Sequence, residues 1–140
     1  MPVEAYQIHA LLKAPPEASV VVSAMPEIAR RHLGARQHNV YLSRDTLLKI
    51  KRRHPSIDYI DLTWAPEILA HGTLLAEPPP SKSIAAVYMF ERTGKIYKVV
   101  VKLSGSGHDM WLTAFHRLEP NQVLRLMNGS QILRLAGRML

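Results

Sequence analysis

Apolar and polar residues alternate with a period of two along residues 84–92, 95–103 and 109–116, the pattern of half-buried strands. Thr93-Gly94 between the first two runs predicts a two-residue hairpin turn, and Ser104-Gly105-Ser106-Gly107-His108 predicts a looser loop between the second and third. Upstream, Val40-Tyr41-Leu42 predicts a short strand. Ser43 then caps a helix over residues 44–53, with Asp45 in its first turn and Leu47, Leu48 and Ile50 on its apolar side. Pro55 ends that helix because it drives His54 out of helical geometry. A second helical stretch, interrupted by Pro66, runs over about residues 59–70 and stops at Gly72. The loop Glu77-Pro78-Pro79-Pro80-Ser81 is stiff and extended. A last helix is expected over residues 121–127, with Arg134 and Arg138 in the tail. Helices followed by an antiparallel meander define an α+β domain.

Residues 1–38 read differently. Pro2, Pro15, Pro16 and Pro26 punctuate them, and only residues 24–33 have helical potential. Ser23 is the expected cap, Glu27 suits the first turn, Arg30, Arg31 and His32 crowd the last turn, and Gly34 is the stop. The expectation is an N-terminal arm with a short helix at 1–38, followed by the folded domain at 39–140.

Strict alternation sorts the meander into two faces. Tyr88, Phe90, Tyr97, Val99, Val101, Trp111, Thr113 and Phe115 share one, almost wholly apolar, which helices should cover. Val87, Met89, Ile96, Lys98, Val100, Lys102, Leu112 and His116 share the other, where cations sit among aliphatic side chains. Lys98 and Lys102 on an antiparallel strand also serve simply as solvated side chains that blunt edge pairing. The aromatics at period two suit a core as well as a stacking platform. His54 at a helix end suits the helix dipole, and the other histidines fall in loops or in the arm.

Composition narrows the possibilities. A chain of 140 residues with 47% hydrophobic residues folds as one domain, which excludes wholesale disorder. With no Cys, disulfides, thiolate catalysis and Cys-ligated metal sites are excluded. No apolar run approaches a membrane span, and Glu4, His9 and Lys13 interrupt any apolar leader, so neither membrane nor signal segment is expected. The formal charge of +7 points to a polyanionic partner, nucleic acid ahead of an acidic membrane surface. There is no HExxH pair, Gly-rich phosphate loop or GxSxG elbow. The few carboxylates are scattered, with Asp58 and Asp61 the nearest to sharing a helical face, so neither metal nor cofactor is expected.

The run Val40-Tyr41-Leu42-Ser43-x-x-Thr46 leading to His54-Pro55 opens a recognisable series. Tyr59, Ala65-Pro66-Glu67-Ile68-Leu69 and Gly72 follow, then Tyr97-Lys98-Val99-Val100-Val101-Lys102 and Trp111-Leu112-Thr113-Ala114-Phe115-His116-Arg117. In order and spacing, residues 39–127 resemble the phage-type branch of the barnase–EndoU–colicin–RelE (BECR) nuclease superfamily. The resemblance implies a small metal-independent ribonuclease with helices on a curved antiparallel sheet. It implies a site drawing on His54, Lys102 and Thr113, with His116 close by. The sequence register sets Thr113 on the opposite face from Lys102 and His116, so either a bulge shifts the parity or Thr113 is structural.

The function expected is endonucleolytic RNA cleavage, with the 2′-OH attacking the adjacent phosphorus to leave a 2′,3′-cyclic phosphate. His54 would act as base or acid and His116 as its counterpart, since an imidazole's ordinary pKa lies near 6.5. Lys102, helped by Lys98 or Arg92, would stabilise the phosphorane-like charge, and Tyr97 and Arg117 would bind substrate. The alternatives are a nucleic-acid-binding module without catalysis and a phage structural or interaction module. The resemblance further implies an acidic immunity protein or antitoxin as partner, and action in the cytoplasm after delivery by a phage or a secreted toxin.

Overall fold

In the computed structural model, which describes residues 3–136, seven strands form one sheet. The elements in chain order are α1 (Ala5–Ala10), a 3-10 turn (Leu11–Lys13), β1 (Ser19–Ala24), α2 (Glu27–Leu33), β2 (Asn39–Ser43) and α3 (Arg44–Arg53). There follow α4 (Tyr59–Leu62), α5 (Ala65–His71), β3 (Thr73–Ala76), β4 (Ser83–Met89), β5 (Ile96–Leu103), β6 (Met110–Leu118), α6 (Pro120–Asn128) and β7 (Gln131–Arg134). The sheet order is β1-β2-β6-β5-β4-β3-β7, antiparallel throughout except for the β2–β6 pair. The fold is α+β, as its sequence pattern predicts. No helix among the described residues is long and apolar enough to cross a membrane.

The alternation of β4 shows how the sheet is covered. Ile84 and Ala86 enter one buried cluster, which takes Ile8, Ala29, Leu47, Ile50, Leu62 and Ile68 from α1 to α5. Ala85 and Val87 enter a smaller cluster on the other face, with Val123 of α6 and with Leu126 and Met127 packed against it. The aliphatic half of the mixed face is thus covered by α6, which leaves its cations beyond the helix.

The expected boundary after residue 38 does not hold. Val3, Ile8, Leu11, Val22, Met25, Ala29 and Leu33 are buried in the same cluster as β2, β5 and β6, and β1 is a full strand paired with β2. Short apolar pieces between prolines are each too brief to show a period, yet they bury their side chains against the rest. The helix here is shorter than expected: α2 starts after Pro26, and Ser23 lies in β1 instead of capping it. Gly34 does stop it, in the left-handed conformation at φ 77°.

Other local differences have similar causes. Thr93-Gly94 belongs to a wider connection from Phe90 to Lys95, closed by Gly94 N–H donating to Phe90 O at 2.8 Å. The stretch around Pro66 splits into α4 and α5. Pro66 lies in the first turn of α5, where its missing N–H costs nothing. β3 and β7, four residues each, are too short to show alternation. Arg138, noted for the tail, and Pro2 lie outside the described residues.

Candidate active site

The site begins where β2 leaves the sheet. β2 pairs with β6 only at Val40–Met110 and Tyr41–Trp111, and then the chain turns into α3, which packs against the remainder of β6. Ser43 fixes that turn: its Oγ accepts the Thr46 N–H at 3.1 Å, while Asp45 lies in the first turn of the helix. Leu47 and Ile50 are buried, so the helix cannot rotate without exposing them. At the far end the His54 N–H still donates to Ile50 O at 2.8 Å, but its backbone has left helical geometry (φ −133°, ψ 68°) before Pro55.

This places the His54 ring against β6. It stacks on His116, with centroids 4.9 Å apart and planes 20° from parallel. A cleft of about 180 Å3 lies beside the pair, lined by Lys49, Arg53, His54, Thr113 and His116 together with Ile50, Ala114 and Phe115. No carboxylate among the described residues lines it. Among the described residues no group of three or more His, Asp or Glu side chains is arranged to hold a metal ion.

Thr113 owes its place in the cleft to a bulge. In the β5–β6 ladder Val100 lies opposite Ala114 but Val101 lies opposite Leu112, so Thr113 is the extra residue. Of the two alternatives left by the sequence, the shifted parity is the one found. It also exchanges the faces expected for its neighbours: Leu112 is buried with Val101 in the main core, and Trp111 lies opposite Lys102. The Thr113 carbonyl accepts from Lys49 Nζ at 2.8 Å.

Lys98 stands directly across the ladder from His116. His116 is half-buried, and its pKa is lowered first by that burial and then by the positive fields of His54 and Lys98. Its Nδ1 lies 3.1 Å from Arg117 O, which works the other way. A carbonyl only accepts, so in that bond Nδ1 carries the proton and leaves Nε2 of the neutral ring with a free lone pair.

The other residues singled out in the sequence lie elsewhere. Lys102 is exposed, four residues beyond Lys98 on β5, on the order of 13 Å along the strand. It lines a separate groove between the Pro78–Pro80 loop and the Ser104–Gly107 loop. Tyr97 is buried on the core face, its hydroxyl donating to Asp61 Oδ1 at 2.8 Å. Arg92 lines a cavity next to Tyr97, and Arg117 lies across from Tyr97 on β6. The structure therefore gathers His54, Thr113, His116 and Lys98, and it leaves Lys102, Arg92, Tyr97 and Arg117 out of the cleft lining, although the Arg117 carbonyl meets His116 Nδ1. Lys49 and Arg53 are the cleft residues that sequence reasoning missed. Their four-residue spacing on one helix, running into His54, is the signal that marks them.

An α+β fold with a cationic cleft built on paired imidazoles is the class that these observations define. No protein-family model matches the chain, and it matches no curated protein and no solved structure.

Proposed function

We propose that the chain is a metal-independent endoribonuclease of the kind implied by the BECR resemblance, with His54 and His116 as its acid–base pair. One observation carries this reading: two imidazoles stacked at 4.9 Å in a cleft lined by Lys49 and Arg53 and, among the described residues, by no carboxylate. Such a lining favours an anion, and nearly parallel rings leave no room for a phosphate between them. The scissile group would therefore meet the ring edges.

The two rings are not equivalent. His116, whose pKa is lowered and whose Nδ1–H is directed to Arg117 O, is suited to be the base that takes the 2′-OH proton at Nε2. His54 is then the acid that protonates the departing 5′ oxygen. Lys98 takes the part first assigned to Lys102, stabilising charge on the equatorial oxygens of the transition state, with Lys49 and Arg53 adding to the field. Positioned acid–base catalysis supplies roughly 10²–10⁴-fold, and one preorganised donor about 3–4 kcal/mol. A neutralising acidic partner would set its carboxylates against these same cations.

The test is incubation of the purified protein with total tRNA and rRNA in EDTA, followed by mapping of the new ends. Fragments ending in 2′,3′-cyclic phosphate, lost in His54→Ala and His116→Ala, are expected. RNA binding without any cleavage would replace this reading with the nucleic-acid-binding module.

A further inference from the structure

On the side of the sheet covered by α1 to α5 lies a cavity, larger than the histidine cleft, that the histidine chemistry does not use. It measures about 490 Å3 and is walled by Trp64, Tyr88, Phe90 and Tyr97, with Asp61 also in the lining. Phe90 is the hub. Its ring meets Trp64 at 5.3 Å, Tyr88 at 4.9 Å and Tyr97 at 5.6 Å, all in edge-on contacts. Trp64 remains 44% exposed, and Tyr88 and Phe90 are only half-buried. Three part-exposed aromatic rings, backed by the buried Tyr97, therefore border a space of the size that small planar ligands occupy.

Asp61 gives the cavity a polar specificity. Its Oδ1 accepts from Tyr97 Oη at 2.8 Å and its Oδ2 accepts from the Asp58 N–H at 3.0 Å. These two bonds fix the carboxylate, and each oxygen keeps a second lone pair for another donor. The Tyr97 phenol is pushed up to about 12, by burial first and by its bond to Asp61 second, so it stays a donor in that bond. Glu91, Arg92, Thr93 and Lys95 complete the lining; Arg92 and Lys95 suit a phosphate, and Glu91 adds a second carboxylate at the rim formed by the β4–β5 connection. The cavity and the histidine cleft share strand positions: Tyr97 and Lys98 are consecutive in β5, and their partners Arg117 and His116 are consecutive in β6.

We propose that this cavity holds one unpaired nucleobase carrying an exocyclic amino group, stacked on the Trp64–Phe90 wall and donating to Asp61. The occupant rests on the proposed RNA chemistry only for the polymer it belongs to. Base stacking on an aromatic side chain is tolerant of sequence, so the preference comes from the carboxylate, which repels a carbonyl edge and accepts from an amino one.

The experiment uses Trp64 as its own reporter. In Trp111→Phe, which removes the other tryptophan, Trp64 emission is followed on titration with CMP, UMP and ribose 5-phosphate. Saturable quenching by CMP is expected, roughly tenfold tighter than by UMP, with no effect of ribose 5-phosphate at the same concentrations. By calorimetry, Trp64→Ala should weaken CMP binding roughly tenfold, and Asp61→Asn should abolish or reverse the preference for CMP. Should Asp61→Asn fail to fold, the CMP-to-UMP ratio in Trp111→Phe still decides. Equal affinity for all three ligands, or no quenching at all, overturns the proposal. No cleavage is involved. RNA turnover without CMP binding thus refutes the pocket alone, and CMP binding without turnover refutes only the catalytic reading.

Discussion

Lys49 reaches from the middle of α3 to the one residue of β6 that the register with β5 leaves unmatched, donating from Nζ to Thr113 O at 2.8 Å, while the Thr113 hydroxyl donates to Val100 O at 3.4 Å. The bulge turns that carbonyl toward the helix, and the lysine is thereby spent partly on architecture and partly on the charge of the cleft. Lys49→Met keeps the stem but loses the donor, leaving a part-buried carbonyl unpaired. The expected cost is about 1–2 kcal/mol in urea unfolding, with RNA turnover falling further than stability alone explains. Unchanged stability together with unchanged turnover would remove Lys49 from both roles.

The pH dependence follows from His116. Its folded pKa lies below the ordinary 6.5 because of burial, His54 and Lys98. Below about pH 6.5 the unfolded chain takes up a proton at this residue that the folded protein does not, so the unfolded state gains relative stability as the pH falls. The contribution is present above the unfolded pKa and is lost as the pH drops through the folded one. A His116 ring titration followed by NMR should therefore have its midpoint below 6.5, and Lys98→Met should raise it. His116→Gln should flatten the fall in urea midpoint between about pH 7 and pH 5 relative to the wild type.

Some of this was legible from residue order and some was not, for definite physical reasons. The helix α3 and its end at His54 are written in local chemistry: Ser43 as cap, an apolar side at Leu47 and Ile50, and Pro55 as breaker. The central strands are likewise written in alternation. The partnership of His54 with His116 could be anticipated only through the resemblance, since it joins residues far apart in the chain. Alternation alone assigned Trp111 and Leu112 to the wrong faces, because a single bulged residue reverses every position before it and no residue type announces a bulge. The resemblance points to Lys102, but alternation sets both strand lysines on one face, and only the register shows that Lys98 stands across from His116. The N-terminal residues resemble an arm in sequence because β1 gains its stability from pairing with β2, which no local pattern reveals.

Gly72 separates two kinds of glycine requirement. Its φ of −74° admits any residue, but a Cβ there would lie 2.5 Å from Ile68 O and 2.8 Å from Val87 O, both backbone atoms that cannot step aside. The close approach is what lets α5 pass directly into β3 beside β4, and Arg134 Nη2 uses the same corner to donate to Gly72 O at 2.7 Å. Gly72→Ala should cost about 3 kcal/mol. Gly34→Ala, with φ +77° and open space around it, should cost only about 1–2 kcal/mol of backbone strain. Thermal unfolding of the two variants side by side measures the difference, and an equal loss would mean that the α5–β3 corner relaxes.

The sharpest discrimination within the proposed function is between the two strand lysines. Lys98 stands across from His116 and acts on its proton affinity, whereas Lys102 is exposed four residues along β5 beside the proline and glycine loops. A donor aimed at charge that develops only in the transition state lowers kcat when removed, by roughly 10²–10³-fold. A cation that meets the RNA backbone away from the reacting phosphorus weakens binding and reduces the salt dependence of KM, with kcat preserved. Lys98→Met should therefore show the first behaviour and Lys102→Met the second, measured with one defined RNA across a salt series. A kcat loss confined to Lys102→Met would place the reacting phosphate in the loop groove. The stacked histidines would then be a feature of the fold and not of the chemistry.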